Sequence, residues 1–170
     1  LATLTSGQLL KGYRFQMIGE RIKAVPGMPT TETARAALDG LEESVRLLKS
    51  GEIDAVVTAP VGKEGLHELG FNFPGQTEFF AERLGCDNHA MCLTGENLTV
   101  ALVTIHVALT DVPDLISKDE IVRVGYLLAQ FCRQRGIATP RIAVCGLNPH
   151  AGENGAFGKE DIEIVGPAVS

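Results

Sequence analysis

The feature that most constrains the fold of this chain is the switch between helical and strand-like spacing of its apolar residues. Over residues 30–50 the string TTETARAALDGLEESVRLLKS places Ala34, Ala37, Leu38, Leu41, Val45 and Leu48 three and four positions apart, with charges between them. That spacing lines one face of an amphipathic helix. Pro26 and Pro29 precede it, a Thr is available to cap it, and Gly51 stands where a helix usually stops. The next run, IDAVVTAP at 53–60, is rich in β-branched residues and ends in proline, which predicts a buried strand delivering its C-terminal end to a loop. A helix followed by a buried strand is half of a βαβ-type unit.

Further along, Pro74-Gly75 predicts a turn and Thr77 a cap for a short helix over 78–84 that ends at Gly85. The apolar segments 89–93 and 98–106 flank Thr94-Gly95-Glu96-Asn97, which predicts an antiparallel hairpin with a loop of about four residues. Ser117 is placed to cap a long helix from 118 to about 135, with Ile121, Val124, Leu127, Leu128 and Phe131 on one face and Gly136 as its stop. Residues 141–145 predict a second buried strand entering the loop GLNPHAGENGAFG, and a last helix starts near Lys159. This order predicts the α/β class, a mixed sheet flanked by helices, as one unit over residues 1–170. Residues 1–25 show little periodicity and the last helix has barely begun at Ser170, so both ends are expected to be interrupted.

Composition removes several functions. There are 15 Lys and Arg against 21 Asp and Glu, a net charge of −6, and the basic residues are scattered, so nucleic acid is not an expected partner. The longest apolar-leaning stretch, 100–109, carries Thr104 and His106 and falls short of the ~18 residues of a membrane span, so no membrane association is expected. Cys86, Cys92, Cys132 and Cys145 lack CxxC spacing and read as buried thiols in a reducing cytoplasm. No basic segment followed by an apolar one marks a secretory signal.

In open α/β sheets, ligands gather beyond the carboxyl ends of strands. TAPVGK after the first strand, TIH closing the hairpin strand and GLNPHAGENG after the second strand all qualify. In the last, Gly146, Gly152, Gly155 and Gly158 permit a tight path, Pro149 restricts Asn148 to extended geometry, and His150 is thereby held on a stiffened loop. His106 and His150 each end an apolar strand, which is compatible with two imidazoles meeting over one sheet edge. A catalytic divalent site needs about three protein ligands, and neither His67, in a polar helical stretch, nor His89, beside a strand, makes a convincing third. Taken alone, His106 reads more readily as a satisfied histidine at a sheet end than as a ligand. Thr77 reads as a plain N-cap, as part of an anion-binding helix N-terminus with Gln76, or as both. Lys63 either neutralises an anion or faces water. Neither a Walker loop nor a GxGxxG after a strand is present.

Four strings then converge on one family. TAPVGKEG (58–65), FPGQTEFFAERLG (73–85), ALVTIHVALTDVPDLI (101–116) and RIAVCGLNPHAGENGAFGKED (141–161) resemble, in order, the 4-hydroxythreonine-4-phosphate dehydrogenases of pyridoxal phosphate biosynthesis. NPHAGE is specific to that likeness, which runs from about residue 30 to 165. The resemblance implies an isocitrate/isopropylmalate dehydrogenase-like fold. It also implies a cytoplasmic homodimer with its active site at the subunit junction, acting on a small phosphorylated substrate. The activity implied is NAD-dependent, metal-dependent oxidative decarboxylation of 4-phosphooxy-L-threonine: hydride transfer from a secondary alcohol to NAD, then loss of CO₂ from the β-keto acid. His106 and His150 are implied as two of three histidine ligands to a divalent cation (zinc, cobalt, magnesium or manganese), and Gln76 and Thr77 as the substrate-binding pair.

The family usually carries His where this chain has Gln76, and glutamine keeps a donor and an acceptor but cannot carry a charge or a proton. The resemblance also makes this chain the central portion of a larger dehydrogenase. The third histidine and the Lys, Asn and Arg that hold substrate fall outside it, so the chain alone is expected to be inactive or nearly so. Two other readings stay open: a catabolic paralogue acting on a phosphorylated sugar acid or an aromatic cis-dihydrodiol acid, and a non-catalytic fragment or binding module.

Overall fold

Helix ends are where this sequence speaks most directly, and the computed structural model, which describes residues 16–170, shows why. The reading of residues 1–25 falls, for its first fifteen positions, outside the described residues. The chain divides into two compact units, Leu1–Phe73 and Pro74–Ser170.

In the first unit, helix α1 spans Thr31–Ser50. Thr30 caps it: its side chain accepts the N–H of Thr33 while the Thr33 hydroxyl accepts the N–H of Thr30, so two otherwise orphaned donors are satisfied reciprocally. At the other end Gly51 takes φ 72, and the Gly51 and Glu52 amides donate to the carbonyls of Leu48 and Leu47. Helix α2, Lys63–Glu68, packs on α1. Their approach is close: a Cβ on Gly65 would stand 2.9 Å from that of Ala34. Leu41, Val45, Leu66 and Phe71 are the buried core here, and Phe71 meets Phe73 edge-on with ring centroids 5.0 Å apart.

The strand expected over 53–60 is not formed. The segment joins no ladder, and Val57 is 99% exposed. β-branched residues favour extended backbone, but a strand exists only where a neighbour takes up its N–H and C=O groups. Among the described residues, the only strand ladder is a hairpin in the second unit.

That second unit begins with α3, Gln76–Leu84, closed by Gly85 at φ 64. Strands β1, Cys92–Thr94, and β2, Thr99–Ala101, pair antiparallel with Leu93 opposite Val100, across a four-residue loop, 95–98, that starts one position later than expected. The pairing is shorter than the apolar runs predict: β2 stops at Ala101, so His106 lies in a loop beyond the strand rather than at its end. A single 3₁₀ turn, Leu109–Asp111, leads into α4, Val112–Leu115. Helix α5, Lys118–Gln134, is capped by Ser117, whose hydroxyl accepts the N–H of Glu120, and Gly136 follows its end at φ 90. It buries Ile121, Val124 and Ala129 and packs against β2 and the C-terminal helix α6, Gly166–Val169. A π-helical turn, Asp161–Val165, runs directly into α6, where a helix starting near Lys159 was expected.

The second strand expected, 141–145, is likewise irregular and exposed, and with β2 and α5 it lines an open apolar groove. Its failure has the same cause as that of 53–60. The cysteines were expected to be buried, but Cys86, Cys92 and Cys145 are exposed and Cys132 is half-buried. No helix among the described residues is long and apolar enough to cross a membrane.

Candidate functional site

The N-terminus of α3 is built around a glycine. Gly75 is its N-cap residue, in extended backbone and without a side-chain cap, and the space above it is filled by the ring of His106. A Cβ at position 75 would stand 2.9 Å from His106 Cε1 and 3.1 Å from Glu78 Oε2. Only glycine admits this approach. His106 itself sits at φ 55, a left-handed conformation that costs an L-residue about 1–2 kcal/mol. Its Nδ1 lies 2.7 Å from Glu78 Oε1.

Helix α3 therefore opens with Gly75, Gln76, Thr77 and Glu78 side by side, and His106 closes onto them from 28 positions away. Thr77 was expected as the N-cap. The helix instead starts at Gln76, so Thr77 lies inside the first turn, at the positive end of the helix dipole. Burial pushes the Glu78 carboxyl up, but the His106 hydrogen bond, its own backbone N–H and the charges of His106 and His89 together outweigh this and hold it below the ordinary carboxylate value.

His150 belongs to a different construction. Asn148 is extended at φ −97, ψ 159, as expected of a residue before proline. After Pro149 the backbone turns left-handed for six consecutive residues: His150, Ala151, Gly152, Glu153, Asn154 and Gly155 have φ of 53, 50, 78, 41, 55 and 91. Only Gly152 and Gly155 adopt this freely, so the turn persists because its surroundings over-determine it. Asp161 supplies much of that constraint. Buried at 7% exposure, its carboxylate accepts the N–H of Leu147 at 2.8 Å and of Asn148 at 3.0 Å. The Asn148 amide donates to Glu160 Oε2 at 2.7 Å, and the Phe157 N–H closes the loop onto the Gly152 carbonyl at 3.1 Å.

Of the residues singled out from sequence, Gln76, Thr77 and His106 are thus brought to one helix end, while His150 is exposed on the left-handed loop. His67 is exposed on α2, and the His89 Nδ1 is taken up by the Cys86 carbonyl at 3.1 Å. Among the described residues, no group of three His, Cys, Asp or Glu side chains converges closely enough to hold a metal ion. The donors present fit a divalent cation in part: an imidazole with one nitrogen against a carboxylate offers the other as a ligand, in the manner of histidines in metal sites. Glu78 and Asp161 were missed from sequence. An acid in the first turn of a helix reads as dipole compensation, and neither side chain's partners lie near it in the chain.

Among the described residues the antiparallel hairpin is the whole sheet and the mixed sheet expected is not formed, but helices and a short hairpin fit the α/β class suggested by the sequence. Comparison with known proteins makes this specific. The family model for the pyridoxal phosphate biosynthetic protein PdxA matches residues 6–170, and the chain belongs to that family. It is 45% identical over 144 residues to a 4-hydroxythreonine-4-phosphate dehydrogenase of Desulfosudis oleivorans, covering 84% of this chain and 43% of that protein. It is 41% identical over 152 residues to a protein of Bradyrhizobium diazoefficiens named provisionally a D-threonate 4-phosphate dehydrogenase, covering 89% and 44%. The crystal structure of a 4-hydroxythreonine-4-phosphate dehydrogenase from Klebsiella pneumoniae superposes with a TM-score of 0.72 at 40% identity, over 85% of this chain and 44% of that one. The chain spans a little under half the length of the relatives it matches.

Proposed function

We propose that this chain is the central portion of an NAD-dependent, metal-dependent dehydrogenase that oxidatively decarboxylates 4-phosphooxy-L-threonine in pyridoxal 5'-phosphate biosynthesis. The fold is of the isocitrate/isopropylmalate dehydrogenase type, and the enzyme is a homodimer with its active site at the subunit junction. The observation that carries this reading is the convergence of Gln76, Thr77 and His106 on the N-terminus of α3, in a chain 45% identical to a 4-hydroxythreonine-4-phosphate dehydrogenase. Gln76 and Thr77 bind the substrate: the first-turn N–H groups and the helix dipole favour its anionic groups, and the Gln76 amide adds a donor and an acceptor. His106 and His150 are metal ligands, joined by donors from outside this chain. A divalent cation so held supplies Lewis acidity at the oxygen of the alcohol being oxidised and of the ketone that follows. NAD is the hydride acceptor.

A second reading concerns the substrate. Gln76 replaces the His usual in the family, and the Bradyrhizobium diazoefficiens relative carries a name for a phosphorylated sugar acid. A catabolic dehydrogenase acting on such an acid keeps the same site chemistry and changes only what Gln76 recognises. The full-length protein should be assayed by NADH absorbance with 4-phosphooxy-L-threonine and with D-threonate 4-phosphate, with and without a chelator. Chelator-sensitive turnover of the first supports the biosynthetic reading, turnover of the second alone favours the catabolic one, and no NADH from either removes the dehydrogenase reading.

A further inference from the structure

We propose that Glu78 is a positioning residue that fixes the ring tautomer of His106, and thereby decides which nitrogen of that histidine is offered to a cation. The proposal rests on the reading of His106 as a metal ligand. Its geometric basis is independent of any metal. Glu78 Oε1 lies 2.7 Å from His106 Nδ1, across 28 positions of sequence, so the pair is a tertiary contact and not a by-product of helix geometry. The approach is provided for on both sides: Gly75 leaves open the space the ring occupies, and His106 accepts a left-handed φ of 55 to reach it. The other carboxylate oxygen, Oε2, is buried without a hydrogen-bond partner, so the carboxylate's one side-chain partner at this spot is the imidazole.

A carboxylate only accepts hydrogen bonds. The proton of a neutral His106 must therefore sit on Nδ1, which leaves the lone pair on Nε2. Without Glu78 the two tautomers of an imidazole compete, and the ring is free to turn. Carboxylates behind metal-bound histidines set ring orientation and raise ligand basicity, and their loss typically weakens metal binding by about 10–100-fold. Glu78 would act in this way without touching metal or substrate.

The test has two readouts. In the metal-free protein, ¹⁵N chemical shifts of the His106 ring report the tautomer directly. The wild type should show a protonated Nδ1 and an unprotonated Nε2, and a mixture or the reverse would overturn the proposal without any variant having to fold. Cobalt(II) titrated into the full-length protein, followed by visible absorption, gives the affinity. Glu78→Ala should weaken binding by about 10–100-fold, and Glu78→Gln, whose amide oxygen still accepts from Nδ1, should lose less. Thermal melting of each variant separates loss of the fold from loss of the contact. Unchanged cobalt affinity in a folded Glu78→Ala protein would overturn the positioning role while leaving His106 as a ligand. Unchanged affinity in His106→Ala would remove the ligand reading itself and the proposal with it.

Discussion

The carboxylate of Asp161 holds the backbone N–H of Asn148 at 3.0 Å across 13 positions of sequence, and with it the start of the loop that carries His150. Its second oxygen takes the neighbouring N–H of Leu147 at 2.8 Å. One buried side chain thus satisfies two successive backbone donors just before six residues turn left-handed. Replacing it with Asn is not conservative, since one oxygen becomes an NH₂ facing a backbone donor. Asp161→Asn is expected to raise amide hydrogen exchange at Leu147 and Asn148 and through the loop to Phe157, leaving α3 protected. Hydrogen exchange read by mass spectrometry checks this.

The same contact should be visible in acid. Asn148 N–H donation holds the Asp161 carboxyl below its ordinary value, burial opposes this, and Leu147 adds to the lowering. A group whose folded pKa is depressed contributes stability that is present above the unfolded value, ~3.9 for Asp, and lost as pH falls through the folded value. The thermal midpoint of the wild type should therefore fall more steeply below about pH 4 than that of Asp161→Asn. Parallel curves for the two proteins would show that Asp161 does not carry this linkage.

Gly152 is buried in the same loop at φ 78, and an added Cβ would stand 2.7 Å from the Gly158 carbonyl oxygen. Backbone cannot yield as a side-chain tip can. Gly152→Ala is expected to destabilise the protein by about 1–3 kcal/mol in chemical denaturation, whereas Gly95→Ala, whose nearest neighbour is 3.9 Å away, should cost less than about 1 kcal/mol.

Phe79 anchors the N-terminal half of α3. It is 0% exposed, meets Phe80 edge-on with centroids 5.3 Å apart, and lies beneath the Arg83 guanidinium. Phe79→Ala removes a large ring from a site with no solvent to fill it and should cost about 3–5 kcal/mol of unfolding free energy. Urea denaturation with an unchanged m-value would assign the loss to packing.

The ligands proposed, His106 and His150, supply two donors where a divalent site takes about three from the protein. Isothermal titration of zinc into the 170-residue chain is expected to show far weaker affinity than into the full-length protein, since two imidazoles leave the ion short of its usual ligands. In the full-length protein, His150→Ala should abolish most metal-dependent turnover. Undiminished turnover would refute the role proposed for His150.

Local structure was legible wherever the residues that define it are neighbours in sequence. Thr30 and Ser117 cap the helices they precede, Gly51, Gly85 and Gly136 take positive φ at their ends, and the hairpin turns in four residues. Each of these depends on hydrogen bonds or dihedral angles within about five positions. The family was legible too, because its motifs are contiguous strings. The expected strands at 53–60 and 141–145 failed for the opposite reason: a strand is completed by a distant partner, and β-branched composition cannot say whether one is in place.

The site divides along the same line. Gln76, Thr77, His106 and His150 stand in the sequence as residue types suited to binding, and Pro149 alone suffices to extend Asn148. Only the tertiary structure decided that His106 closes onto Gly75 and Glu78, and that Asp161 clamps the loop of His150. Both are single hydrogen-bonding carboxylates acting over 13 to 28 positions. No local spacing encodes such contacts, because they form only when packing brings the two segments together.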